Sequence, residues 1–329
     1  MRQGKISENV LKRSVLRKIK THRQEVVNGA GIGKDCAILA YKEGAETVLS
    51  TTPVTAPLPD LSRYAIPMAL NNVAASGAEP LGVLLALLLP EETQEPELAR
   101  LMEQAEDICS ALQVEILGGH TEVTPVVREP VMTVTGVGHR EAALASRMSG
   151  IAAGQDIVVS KWIGLEGTAR LAKHYREQLS RRFPMRMIED AANYDRYLSV
   201  IPEAATAVKS GVCGMHDVSR GGIFAALWEM ASGAGVGLNV YLKKLPVRQE
   251  TIEICEFLER NPYELLSGGC LMMTAWDGDG LVTDLTRAGI PAVVIGKTTD
   301  SNDRVLCNGE EKRFLDMPKA DQMYHIFNK

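Results

Sequence analysis

The run Met215-His216-Asp217-Val218-Ser219-Arg220-Gly221-Gly222 sets an acid, a guanidinium and two glycines just ahead of a predicted helix. A polar loop feeding a helix N-terminus offers open N–H groups at the positive end of the helix dipole. Arg220 has the fork geometry for a phosphate, and Asp217 suits a cation or a ribose. The plainer alternative is that Asp217 or Ser219 simply caps the helix. Gly118-Gly119-His120-Thr121-Glu122 reads as the end of a short strand over 114–117. Glycines there let backbone N–H groups approach an anion, and three polar side chains follow; a turn histidine with its bonds satisfied would leave the same pattern. Asn71-Asn72 stand near the end of a predicted helix over 61–76. Capping before Gly77 accounts for one costly Asn more easily than for two, so a ligand contact stays open.

Gly29, Gly31 and Gly33 lead to Asp35 in a G-x-G-x-G-x-D pattern. A dinucleotide loop follows a strand and opens a helix. Here a helix over 7–19, capped by Ser7, precedes the loop and an apolar run over 36–40 follows. The loop is therefore a plain turn or a phosphate-adjacent loop carrying Asp35, and a nicotinamide-dependent oxidoreductase rests on it alone. No P-loop, H-E-x-x-H, G-x-S-x-G or Cys/His metal spacing occurs, which leaves P-loop, zinc-protease and serine-hydrolase chemistry unsupported.

The elements that must position these residues alternate between strand and helix. Residues 81–89 form an unbroken apolar run between prolines, as a buried strand requires. Residues 97–112 carry the clearest 3.6-residue stripe, with Pro96 at its start. Pro67 makes the N-terminus of the 61–76 helix uncertain. Residues 185–210 read as helix broken near Pro202. Further strands are expected at 48–52, 131–137, 156–160, 271–275 and 292–296, and further helices from Gly167 and over 221–232, 250–258 and 280–288. A shift to small polar residues near 146–155 divides the chain into expected domains 1–148 and 149–329. The class is α/β or α+β with two domains.

The 329 residues are 45% hydrophobic and 23% charged, enough to bury a sizeable core without disulfides. A net charge of −5 argues against a nucleic-acid binder. The basic N-terminal segment (Lys12, Arg13, Arg17, Lys18, Lys20, Arg23) reads as a solvated helix face or, less simply, a site for an anionic partner. The longest apolar run is far below the ~20 residues of a membrane span. The N-terminus lacks the apolar stretch of a signal peptide. Six scattered cysteines without a CxxC pair fit reduced thiols in a cytoplasmic protein.

Six segments taken in order resemble the aminoimidazole ribonucleotide (AIR) synthase-related superfamily, in the branch that contains hydrogenase expression/formation factor E. They are Gly33-Lys34-Asp35-Cys36-Ala37, the run from Asn71 to Pro80, Gly118-Gly119-His120-Thr121, the run from Lys161 to Thr168, the run from Met215 to Gly222, and the run from Asn261 to Leu266. The resemblance spans nearly the whole chain. It implies a two-domain AIR synthase-like fold whose N-terminal sheet pairs with its copy in a homodimer. It also implies ATP between the domains or at the dimer interface, and Mg²⁺ on acidic side chains. On that footing Asp35 and Asp217 hold Mg²⁺, while Asn71, Asn72, Gly118, Gly119, Thr121, Gly221 and Gly222 bind the nucleotide. Asp217, Arg220 and His120 serve catalysis, with Arg220 meeting the charge of a transferred phosphoryl group.

Three departures accompany the resemblance. Thr52 and Asn72 stand where the family usually has Asp, and His120 stands where many members carry an acid. Two unit charges ~4 Å apart interact by about 4 kcal/mol at an effective dielectric near 20, so each acid lost beside a divalent ion lowers Mg²⁺ affinity. Factor E ends in a cysteine that carries a carbamoyl group; this chain ends Tyr324-His325-Ile326-Phe327-Asn328-Lys329. The expectation is an ATP-dependent enzyme that activates an oxygen of an unknown small molecule or protein group by phosphoryl transfer. The alternative is a catalytically degenerate, nucleotide-binding homodimer with a scaffold or regulatory role.

Overall fold

The computed structural model describes residues 3–32, 34, 36–142, 148 and 150–323. The chain divides into two compact units, Met1–Ala142 and Ala143–Lys329; the composition shift used above lies a few residues further along. None of the helices among the described residues is long and apolar enough to cross a membrane.

Unit 1 contains β1 (Gly4–Lys5), β2 (Val26–Asn28), β3 (Ile38–Leu39), β4 (Ala45–Thr55), α1 (Leu61–Ala75), β5 (Glu79–Leu89), α2 (Glu95–Ala111), β6 (Glu115–Val123) and β7 (Val131–Glu141). Five strands make one sheet in the order β1-β6-β5-β7-β4, and β2 with β3 forms a separate hairpin. β5 is central: it runs parallel to β6 through the α2 crossover and antiparallel to β7. That position explains its unbroken apolar run. α2 starts where Pro96 places it, and Gln94 and Glu97 close a reciprocal capping box. Pro67 is not near the start of α1 but inside it. It removes one internal N–H, and the helix persists because 13 of its 15 residues are buried.

The sheet's two faces differ. Leu85, Leu87, Leu89, Met132 and Val134 are buried on the face that α1 and α2 cover. On the opposite face, cross-strand rows run Thr51–Thr135–Leu84 and Pro53–Thr133–Ala86–His120. The β2–β3 hairpin covers only one end of that face, where Val26, Leu39 and Tyr41 pack on Leu81, Leu117 and Val137. Beyond it the face is open among the described residues: Ala86 is exposed and Leu49 is 63% exposed.

Two expectations for this unit change. The glycine loop is entered directly from β2, not from the N-terminal helix. Gly118-Gly119 do not end the strand either. β6 continues through them to Val123, after a register shift at Leu117. Gly119 is needed there because a Cβ would be driven into the Leu85 carbonyl of β5, at a φ of 150°. Close approach of a neighbouring strand, not a turn, explains this glycine.

Unit 2 contains β8 (Asp156–Ser160), α3 (Leu165–His174), α4 (Met185–Ala192), α5 (Ile201–Lys209), β9 (Gly214–Val218), α6 (Gly222–Ala234), β10 (Gly237–Tyr241), α7 (Gln249–Phe257), β11 (Cys270–Ala275), α8 (Gly278–Arg287), β12 (Ala292–Thr299), β13 (Arg304–Asn308) and β14 (Glu311–Phe314). Seven strands lie in the order β14-β13-β10-β12-β8-β11-β9. Val159, Leu238, Met272 and Ile295 from the sheet pack with Ile223 and Leu227 of α6 in its main core. The interruption between α4 and α5 precedes Pro202, which sits in the first turn of α5 and suits it. The sequence reading did not find β10, β13 and β14, which are short and owe their existence to their pairing partners.

Candidate functional site

A cavity of about 420 Å³ lies in unit 1, along the edge of β6. Its lining joins two segments that are far apart in sequence: Gly29, Gly31 and Lys34 of the glycine loop, and Gly118, Gly119, His120 and Thr121 of β6. β1 pairs with β6 only at Glu122 and Val123, and the Ile6 N–H reaches the Thr121 carbonyl at 3.3 Å. Upstream of Thr121 the outer edge of β6 has no strand partner among the described residues. In a parallel strand alternate peptide groups point to each side, so part of the Gly118–Thr121 backbone faces the cavity instead of a ladder.

The deeper lining is apolar. Leu85, Leu87, Met102 and Ile116 form part of it, and Leu11, Val15 and Leu16 of the N-terminal helical segment cover it. That segment is irregular: an α-turn at Glu8–Val10, a π-turn at Leu11–Val15 and a 3₁₀ turn at Leu16–Lys18. The Ser7 hydroxyl accepts from the Val10 N–H at 3.4 Å, as expected of its cap. Its basic residues are neither a bare solvated face nor an anion site throughout. Arg13 and Ser14 bind Glu95, and Lys18 binds Glu103, both acids of α2. Lys5, Glu8, Lys34, His120 and Thr121 supply the polar part of the cavity wall. His120 is exposed, and its Nε2 lies 3.2 Å from the Glu122 carboxylate. Cavity size and the mixture of apolar walls with a few polar groups match small-molecule sites.

Asn71 and Asn72 diverge. Asn71 is buried, 1% exposed, in the interior of the unit. Asn72 is exposed, and its amide donates to the Ser50 hydroxyl at 3.1 Å and to Thr52 Oγ1 at 3.5 Å. Thr52 and Asn72, the two positions where the resemblance expects acids, are therefore neighbours. They belong to the β4 edge. β7 and β5 separate them from Gly118–Thr121, a distance of about 14 Å at ~4.8 Å per strand, so one copy of unit 1 does not bring the two groups together.

In unit 2 the anticipated polar loop is mostly strand. Asp217 lies in β9, opposite Leu271 of β11, and is 6% exposed. Neither Asp217 nor Ser219 caps α6 through its side chain; the cap is Gly221, in the left-handed conformation with φ 78°. Ser219 serves through its carbonyl, which accepts from the Gly222 and Ser267 N–H groups. A Cβ on Gly222 would meet the carbonyls of Tyr263 and Leu265, so this turn must be glycine. Arg220 is exposed, in contrast to Asp217.

Charged groups that sequence reading did not single out stand close by. Glu166 is buried, with Arg170 at 2.6 Å. Burial raises its pKa against the opposing pull of Arg170 and Arg220. Asp321 is 5% exposed and accepts the Gly221 N–H at 2.6 Å. Burial raises its pKa too, against the backbone donors it engages. Chain separation hides both, since no short motif links residue 221 to residue 321. Lys161, at the head of a resembling segment, is structural: its ammonium meets Glu203 at 2.6 Å and the carbonyls of Tyr197 and Ser199.

Asp35 lies outside the described residues. Among the described residues no three His, Cys, Asp or Glu side chains converge to hold a metal ion. The neutral Ser50–Asn72–Thr52 set is a poor substitute, because Mg²⁺ prefers at least one or two carboxylates. The described residues do not fit a Mg²⁺ site.

Residues 33–139 match the family model for AIR synthase related protein, N-terminal domain, and residues 152–307 match that for its C-terminal domain. The putative hydrogenase expression/formation protein MJ0676 of Methanocaldococcus jannaschii is 28% identical over 98% of this chain and 97% of its own length. Carbamoyl dehydratase HypE of Cupriavidus necator is 29% identical over 76% of this chain and 72% of its own. The fold matches a hydrogenase maturation protein HypE solved in complex with ATP. The TM-score is 0.79, with 20% identity and 95% of each chain covered.

Proposed function

Since the chain belongs to the AIR synthase related family, we propose that it binds ATP in the unit 1 cavity and transfers a phosphoryl group to an oxygen of its substrate. The observation that carries this reading is the convergence of Gly29, Gly31 and Lys34 with Gly118-Gly119-His120-Thr121 around one 420 Å³ space. The apolar walls suit a purine, and the lysines and the open edge of β6 suit its phosphates. A relative named as a carbamoyl dehydratase and a fold neighbour solved in complex with ATP support a nucleotide-dependent reading.

In such a transfer the terminal phosphoryl group leaves its bridging oxygen and bonds the acceptor oxygen, and catalysis is positioning plus charge stabilisation. Lys5 and Lys34 bring positive charge to the cavity, while N–H groups along the free edge of β6 donate to phosphate oxygens. His120, held by Glu122, stands where it could accept a proton from the acceptor hydroxyl. Within unit 2, the guanidinium of Arg220 beside the Gly221 turn is suited to an anion. The open face of the unit 1 sheet is where a second copy would pack, and His120 and Ala86 share one of its cross-strand rows.

Calorimetric titration with ATP, with and without Mg²⁺, tests the reading. Wild type is expected to bind, and Lys34→Ala with His120→Ala to lose affinity about tenfold or more, some 1.4 kcal/mol. Binding that ignores both substitutions overturns the site. A second reading, a non-catalytic nucleotide-binding dimer, draws on the neutral contact of Thr52 with Asn72. It expects Mg²⁺-indifferent binding without ADP release, whereas an enzyme releases ADP once its acceptor is supplied.

A further inference from the structure

Residues 7–20 run between two fixed points of unit 1. At the near end Ile6 is buried, and its N–H reaches the Thr121 carbonyl of β6 at 3.3 Å. At the far end two buried carboxylates take donors from the chain. Glu106 of α2 accepts the Thr21 N–H and the Thr21 hydroxyl, both at 2.6 Å. Glu115 of β6 accepts the Arg23 N–H at 2.6 Å. The two acids are 5% and 4% exposed, and a carboxylate withdrawn from water holds the donors that replace its hydration firmly.

The stretch between these anchors is held differently. Within 8–18 only Ser14 is buried. Leu11, Val15, Leu16 and Ile19 are half-buried and line the cavity, so part of their apolar surface meets that space instead of packed core. The ties to α2 are the surface pairs Arg13–Glu95 and Lys18–Glu103, with the Ser14 hydroxyl donating to Glu95 at 2.7 Å. Such pairs contribute little and are screened by salt. The backbone passes from α to π to 3₁₀ turns, without the continuous ladder that would stiffen one helix.

We propose that residues 7–20 form a flap that gates the unit 1 cavity. Ile6 and Thr21–Arg23 are its hinges, and Arg13, Ser14 and Lys18 are its latch on α2. Firm ends and a weak middle confine opening to the flap, a local event that leaves the sheet intact. An occupant with an apolar body gives Leu11, Val15 and Leu16 the packing they lack, so binding favours the closed form. That coupling rests on the reading of the cavity as the nucleotide site; the flap itself does not.

A thiol placed under the flap tests both. Met102 of α2 lines the cavity and is 2% exposed. Met102→Cys is made together with Cys36→Ser, which removes the exposed native thiol; Ile116→Cys serves in its place should the first variant fail to fold. Labelling of the new thiol by a small maleimide, read by peptide mass spectrometry, is compared with and without Glu95→Gln and Glu103→Gln. Cys109, fully buried on the same helix, reports any wider unfolding. The flap predicts labelling about tenfold faster without the latch, an unchanged Cys109, and slower labelling on adding ATP. Equal rates with and without the latch, or Cys109 keeping pace with the new thiol, overturn the flap and leave the nucleotide reading to the calorimetric titration. Faster labelling without the latch in a protein that does not bind ATP keeps the flap and overturns the nucleotide reading. ATP that binds without slowing the labelling overturns the coupling.

Discussion

Lys161 has φ 52°, a left-handed backbone conformation uncommon outside glycine, at the end of β8. Its ammonium, with the side chain 9% exposed, is shared between Glu203 and the carbonyls of Tyr197 and Ser199. One cation thereby ties the segment between α4 and α5 to the sheet. Removing one member of a buried ion pair leaves the other charge uncompensated, at a cost of about 3–5 kcal/mol. Lys161→Met should therefore lower the denaturation midpoint sharply, and Lys161→Met with Glu203→Leu should recover much of the loss. A double variant no more stable than the single one would show that the carbonyl contacts, not the charge pair, matter. The cysteines also sort by environment at this scale. Cys36 is exposed and the other five are buried. Burial pushes the Cys255 thiol up to about 12, which keeps it protonated and inert at neutral pH.

Among elements, the N-terminal helical segment is tied to α2 by charged groups. Its apolar side chains line the cavity, and its links to α2 are Arg13 and Ser14 to Glu95 and Lys18 to Glu103. The bonds from Arg13 and Ser14 hold the Glu95 carboxyl at about 2, below its usual 4.5. A depressed carboxylate pKa favours the folded state fully above the unfolded value. That contribution fades as pH falls from about 4.5 towards 2. The protection factors of residues 8–18 should fall across that interval while those of α1 hold. High salt at neutral pH should act in the same direction, since exposed pairs are screened. Protection factors that are level from pH 5 to 3 would mean that apolar contacts hold the segment.

At the scale of the whole molecule, each unit has its own sheet and core, and both match domains of one family. The open face of unit 1 presents Leu49, Leu84, Ala86 and Leu88 among threonines. Exposed apolar side chains grouped on one face mark interaction surfaces, and two copies that pair through one such face do so about a two-fold axis. Light scattering on the purified chain should give twice the monomer mass. Ala86→Glu with Leu49→Lys should give the monomer mass with an unchanged circular dichroism spectrum. A variant that keeps the wild-type mass would place the contact elsewhere.

The two-unit α/β plan was legible in the linear chain. The apolar run of β5 and the stripe of α2 follow directly from side-chain periodicity, which burial imposes locally. The candidate site was legible only as separate segments, because Gly118-Gly119-His120-Thr121 and the residues before α6 are chemically unusual over short spans. Tertiary structure alone decided how the parts meet. It ran β6 through two glycines because β5 lies against them, joined Asn72 to Thr52 across a helix and a strand, and brought Asp321 to Gly221 over a separation of 100 residues. Periodicity records which side of an element is buried; strand register and packing between distant segments choose its neighbours, and no local spacing encodes that choice.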